Sequence, residues 1–185
     1  MTAQLGAMIL TGGASSRMGV DKAAMLWSGR RAVDRVADLA AEAGAAAMVT
    51  VGGHDYGLPV VLDEPALGGP VGGVLAGAAA LRAAGCDRLL VLAVDAPTLR
   101  LEDLAPLLAE GGPGAAFAGL HLPMVMALDA LPAEAEASWP MARLADRAGL
   151  ARLICPPEAA LRVRGANTPA ERELLLTALA ADERA

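Results

Sequence analysis

The chain has 185 residues and a mass of 18.6 kDa, and it is 55% hydrophobic with only four aromatic residues, Trp27, Tyr56, Phe117 and Trp139. That length suits one domain burying about 70% of the surface its unfolded chain exposes, around a core that must be built from Ala, Val, Leu and Met. A net charge of −6 excludes the basic face that nucleic acid needs. No apolar run approaches the ~20 residues of a membrane span, and Met1 to Leu10 lacks the pattern of a secretion signal, so a soluble, cytoplasmic protein is expected.

Met8, Ile9 and Leu10 form a continuous apolar run of the kind found in a strand buried on both faces, and Gly12-Gly13 follow almost at once. In "MILTGGASSRMGVDKAAML" the strand therefore ends in a loop nearly free of bulky side chains. Such a loop can aim backbone N–H groups at a ligand. Arg17 and Lys22 add the positive charge that a phosphate chain calls for. Lys22 is the sole lysine beside fourteen arginines, and a compact ammonium binds phosphate as a point charge where a guanidinium needs room for its planar fork.

Residues 32–43 read as a helix, with Val33, Val36, Ala37 and Ala40 on one face and Gly44 as its stop. A strand is expected over 46–51 and a short one in "LPVVLD", ending at Asp63. "EPALGGPVGG", residues 64–73, reads as a Pro/Gly-rich loop leading into a helix through Ala84. Leu89 to Val94 is the clearest strand, with Asp95 at its carboxyl end before Pro97. Alternating strands and helices imply an α/β fold with a mostly parallel sheet, and in such sheets ligands bind beyond the carboxyl ends of the strands. The loops 12–21 and 64–73 and Asp95 should meet there.

The second half is less regular. "AAFAGLHLPMVMALDA" predicts one or two strands with a turn at Gly119, "WPMARLADRAG" a helix closed by Gly149, and "ARLICPP" a short strand. A last helix starts at "NTPAE": Thr168 is the N-cap, Pro169 the first helical residue, and Glu171 completes a capping box. Cys86 and Cys155 have neither zinc-site nor disulfide spacing, and His54 and His121 have no partner at ligand or triad spacing.

The loop does not fit GxxxxGK[ST], because Gly13 and Gly19 are six apart, and GxGxxG is absent too. "LTGGASSRMGVDK" instead resembles the start of the molybdenum cofactor guanylyltransferases, which transfer GMP from GTP to molybdopterin. "VLDEPALGGPVGGVLAG", "VLAVDAP" and "GANTPAE" continue the resemblance in order to about residue 172. Two places depart from that family's pattern: "VGGHD" lacks an asparagine often found there, and Gly165-Ala166-Asn167-Thr168-Pro169 keeps one asparagine where the family often has two.

The resemblance implies a single-domain Rossmann-like nucleotidyltransferase fold over 1–185, with a nucleotide-binding half (1–100) and an acceptor-binding half (101–185). It implies attack of an acceptor phosphate on the α-phosphate of GTP with loss of pyrophosphate. Arg17 and Lys22 would hold the triphosphate, and Asp95 would ligate Mg²⁺. Leu10, Thr11, Gly12, Gly13, Asp63, Gly68 and Gly69 would line the nucleotide site, joined by Gly73, and Asn167 would meet the acceptor. Transient contacts with proteins that deliver or receive the cofactor are expected. The alternatives are plain. Asp95 and Asp63 also suit turns before proline, Asp21 is either a second acid or a partner for Arg17, and Gly73 and Gly77 also suit close helix packing. For the whole chain, the alternatives are CTP or another acceptor, or a non-catalytic nucleotide-binding module.

Overall fold

The apolar run before the glycine pair is the strand β1 (Leu5–Leu10), buried from Gly6 onward. The fold is that of a computed structural model, described for residues 4–11, 21–62, 69–166 and 168–182. After β1 come a small hairpin, β2 (Leu26–Trp27) with β3 (Arg30–Arg31), then α1 (Ala32–Glu42), β4 (Ala47–Val51) and β5 (Val60–Val61). The chain continues through α2 (Gly69–Ala83), β6 (Arg88–Ala93), α3 (Leu101–Ala109), β7 (Gly114–Phe117) and β8 (Met124–Ala127). It closes with α4 (Met141–Arg147), β9 (Ala151–Leu153), α5 (Ala160–Arg164) and α6 (Pro169–Asp182).

Seven strands form one sheet in the order β5-β4-β1-β6-β8-β7-β9, in which only β8 runs against the rest. The expected mostly parallel sheet flanked by helices is therefore found. Alternation along β1 divides the core. Ala7 and Ile9 face a layer with Val33 and Val36 of α1, Leu104 and Leu107 of α3, Val163 of α5 and Leu175 and Leu179 of α6. Met8 and Leu10 face the opposite layer with Val71, Val74 and Leu81 of α2 and Leu144 of α4. With so few rings, this packing depends on close approach. At Gly77 of α2 a Cβ would come within 3.1 Å of Met8 and Val51, so the helix lies against the sheet where no side chain intervenes.

Several boundaries differ from the expectations. Residues 69–73 belong to the first turns of α2 rather than to a loop; Pro70 is tolerated there because a first-turn N–H has no helical acceptor. α3 has no counterpart in the sequence reading, because Pro106 within it breaks the pattern expected of a helix. Met124 and Met126 are fully buried core. The capping box of α6 is formed: Glu171 N–H donates to Thr168 Oγ1 at 3.2 Å, and Thr168 N–H donates to Glu171 Oε2 at 3.1 Å. Cys86 and Cys155 are free thiols whose pKa values are pushed up, chiefly by burial.

One buried charge pair joins two helices. Arg162 of α5 forks onto Asp103 of α3, with Nε donating to Oδ2 at 2.8 Å and Nη2 to Oδ1 at 2.5 Å. Asp103, 3% exposed, also accepts the Arg100 N–H that opens α3. Among the described residues no helix is long and apolar enough to cross a membrane.

Candidate active site

The connections diverge at the carboxyl end of β1. The chain goes from β1 through α1 to β4 over one face, then through α2 over the other face to β6 on the far side of β1. Such a switch point opens a crevice where ligands bind. The ladder persists slightly beyond the strands: Val94 N–H donates to Leu10 O at 3.3 Å. Thr11 N–H and hydroxyl both donate to Val51 O, at 2.9 and 3.0 Å, so its donors serve the sheet.

The chain returns to this edge at Asp21, whose carboxylate holds the turn. Asp21 Oδ1 accepts the N–H groups of Ala23 and Ala24 at 3.0 and 3.3 Å, and Tyr56 donates its hydroxyl to the same carboxylate at 3.0 Å. Ala23 O and Met25 O accept N–H groups of Val33 and Ala32 at 3.0 and 2.9 Å, which fastens the turn to the start of α1. Arg31 braces the other side, paired with Asp34 and donating to Tyr56 O at 3.1 Å. Burial first, and then the hydrogen bond to Asp21, push the Tyr56 phenol up to about 12.

Lys22 is thereby held opposite the turn after β6, where its Nζ lies 3.0 Å from Asp95 Oδ1. Both side chains are partly exposed, at 38% and 48%, so the pair contributes only about 0–1 kcal/mol to stability. It is easily opened by a competing anion. Asp95 sits between two braces: Arg35 of α1 donates to Pro97 O at 3.3 Å, and Gly165 presses on its backbone. Gly165 has φ +72°, and a Cβ there would overlap the Asp95 carbonyl oxygen.

Beside the pair lies a cavity of about 470 Å³, walled by Met25, Trp27, Val94 and Ala166 and by Thr168, Pro169, Arg172, Glu173 and Leu176 at the start of α6. Of the sequence-predicted residues, Lys22 and Asp95 meet in this wall. Leu10 and Thr11 end β1 at the same sheet edge. Gly69 opens α2 and faces the Ala137 carbonyl, outside the cavity lining. Arg17, Gly12, Gly13, Asp63, Gly68 and Asn167 lie outside the described residues. The sequence reading missed Tyr56, Trp27, Arg172 and Gly165. Only Gly165 carries a signal, since it stands where the resembled family often has asparagine.

A family model described as a MobA-like NTP transferase domain matches residues 7–154. The chain belongs to that family. As a member it is a nucleotidyltransferase, and its matched span ends in the residue after β9, so Gly165 and α6 lie beyond it. The transferase is 38% identical over 129 residues to a molybdenum cofactor guanylyltransferase of Xanthomonas euvesicatoria, covering 69% of this chain and 67% of that protein. Alignments with other curated relatives span about half of their lengths. A Methanothermobacter nucleotidyl transferase superposes with a TM-score of 0.70 at 18% identity, over 95% of this chain and 99% of that one. A molybdopterin-guanine dinucleotide biosynthesis protein A of Archaeoglobus fulgidus superposes with a TM-score of 0.59 at 16% identity, over 95% and 99%. These two share the fold.

Two outcomes are expected. Gly165→Ala forces a side chain into a glycine-only conformation, lowering stability by ~1–3 kcal/mol, and displaces Asp95. Nucleotidyl transfer should fall on the order of 100-fold; activity close to wild type would show that Asp95 tolerates the displacement. The raised Tyr56 pKa means the fold favours the neutral phenol. Its stabilising contribution is complete below the ordinary pKa of 10.0 and is lost as pH rises towards about 12. The stability advantage of wild type over Tyr56→Phe, read from urea midpoints, should shrink across that window.

Proposed function

We propose that this transferase moves GMP from GTP to molybdopterin, forming the guanine dinucleotide cofactor and pyrophosphate. The observation that carries the reading is the approach of Lys22 to Asp95 within 3.0 Å at the switch point, in a chain whose family transfers nucleotides. Residues 73 positions apart in sequence supply one cation and one carboxylate where a triphosphate would enter.

In this reading an oxygen of the acceptor phosphate attacks the α-phosphorus of GTP. The new P–O bond forms as the α–β bond breaks, and pyrophosphate leaves with the electron pair. A phosphate dianion needs no base, so catalysis is positioning and charge stabilisation. Lys22 and Arg17 bind the triphosphate, each charge-assisted hydrogen bond contributing roughly 1.5–3 kcal/mol. The glycine pair 12–13 and Gly68 and Gly69 bring backbone close to base and ribose beside Leu10 and Thr11, the donors of Thr11 staying in the sheet, and Asp63 joins them. Asn167 meets the acceptor. Residues 1–100 serve the nucleotide chiefly, and 101–185 the acceptor.

Mg²⁺ fits the donors present. Among the described residues no three His, Cys, Asp or Glu side chains cluster as a metal site. Mg²⁺ typically takes one or two carboxylates and completes its shell with water and phosphate oxygens, and Asp95, half exposed, is such a carboxylate. When bound, the ion supplies charge neutralisation at the reacting phosphates. The absence of disulfide-spaced cysteines accords with a cytoplasmic enzyme, which would exchange its acceptor and product with other proteins of the cofactor's route.

Offered the four nucleoside triphosphates with Mg²⁺ and molybdopterin, the protein should consume GTP, and mass spectrometry should find the guanine dinucleotide. A site that hydrogen-bonds one base leaves groups unpaired with another, so the preference should be on the order of 100-fold or more. A cytidine adduct would reassign the base, and no adduct would leave a nucleotide-binding module. Asp95→Asn should reduce turnover by ~100-fold or more, and Lys22→Arg should recover only part of the loss caused by Lys22→Ala. Full activity of Lys22→Arg would refute the need for a compact ammonium.

A further inference from the structure

We propose that Arg172, seated on the Trp27 ring, binds and orients the phosphate of the acceptor. The inference rests on the transfer reaction above and names the residue that recognises its second substrate. Transfer brings two anions together, and two cations line the cavity, Lys22 and Arg172. Lys22 faces Asp95 at 3.0 Å and is assigned to the triphosphate. The acceptor phosphate needs a cation of its own, and among the described residues Arg172 is the other cation lining the same wall.

The geometry suits that task. The Arg172 guanidinium carbon lies 5.1 Å from the centroid of the Trp27 ring, and an Nη donates to Leu26 O at 2.9 Å. Trp27 is 4% exposed, so this platform is fixed by the core. The buried Nε has no hydrogen-bond partner. With Nε buried and one Nη on Leu26 O, an arginine fixed in this way turns its remaining Nη donors towards a phosphate at little entropic cost. Next to it, Met25, Pro169 and Leu176 form an apolar wall on which a flat heterocycle can lie. A phosphorylated, ring-bearing acceptor meets both features at once, with its phosphate towards Lys22 and Asp95. Arg172 lies in α6, beyond the span 7–154 of the family match.

The test separates this from the reaction itself. With Trp139 replaced by Phe, Trp27 is the only tryptophan and its emission reports binding. Molybdopterin titrated without nucleotide should quench it saturably. Arg172→Gln should weaken binding by about tenfold or more, the loss of a charge-assisted pair, and Arg172→Lys should restore only part. The acceptor KM should rise by the same factor while the GTP KM holds. An acceptor stripped of its phosphate should bind wild type and Arg172→Gln alike. Unchanged acceptor affinity in a folded Arg172→Gln or Arg172→Lys protein, or a rise in the GTP KM instead, would overturn the assignment. Arg172-dependent quenching with no transfer by any form would keep the phosphate site and remove the proposed reaction.

Discussion

The pairing of β1 on both sides is the constraint on which the active edge depends. β4 and β6 are parallel neighbours of one central strand, and the helices leading to them cross opposite faces of the sheet. Neither of these two helices therefore covers the carboxyl end of β1. Thr11 and Val94 extend the ladder to the rim, which fixes where the chain leaves the sheet and where the Asp95 turn begins. Lys22 then needs only a short, well-capped turn to reach Asp95.

That turn and its partner are braced by groups outside the cavity lining. Asp21 gathers two backbone N–H groups and the Tyr56 hydroxyl on one side. On the other side, the buried fork of Arg162 on Asp103 ties α5 to α3, and α5 ends at Gly165, against the Asp95 carbonyl. Breaking a buried ion pair by removing one partner leaves an uncompensated charge and costs about 3–5 kcal/mol. The position of a surface carboxylate is thus secured by an interior pair two helices away.

Much of this was readable in sequence. The unbroken apolar runs at 8–10 and 89–94 mark central strands because strands buried on both faces tolerate no polar alternation. Thr168, Pro169 and Glu171 mark the start of α6 because each meets a separate demand of a helix terminus. Asp95 and the loop that leads to Lys22 could be brought to one sheet edge through the rule that ligands gather at strand ends, although their direct ion pair was not foreseen. What was hidden has physical reasons. Pro106 conceals α3, and the Gly/Pro content of 69–73 resembles a loop although the residues are helical. The Trp27–Arg172 contact links residues 145 apart through packing, which no local pattern records. Tyr56 is a lone aromatic in a loop, and only the fold brings it to Asp21.

The arginine bias of the surface has a chemical consequence at the ion pair. Guanidinium groups are inert to reagents and enzymes that acylate amines, so Lys22 is the single side chain here open to such chemistry. At 38% exposure it is within reach of it. Acetylation would erase its charge and leave Asp95 without its cation, so the state of one nitrogen atom decides whether the ion pair at the end of β6 exists at all.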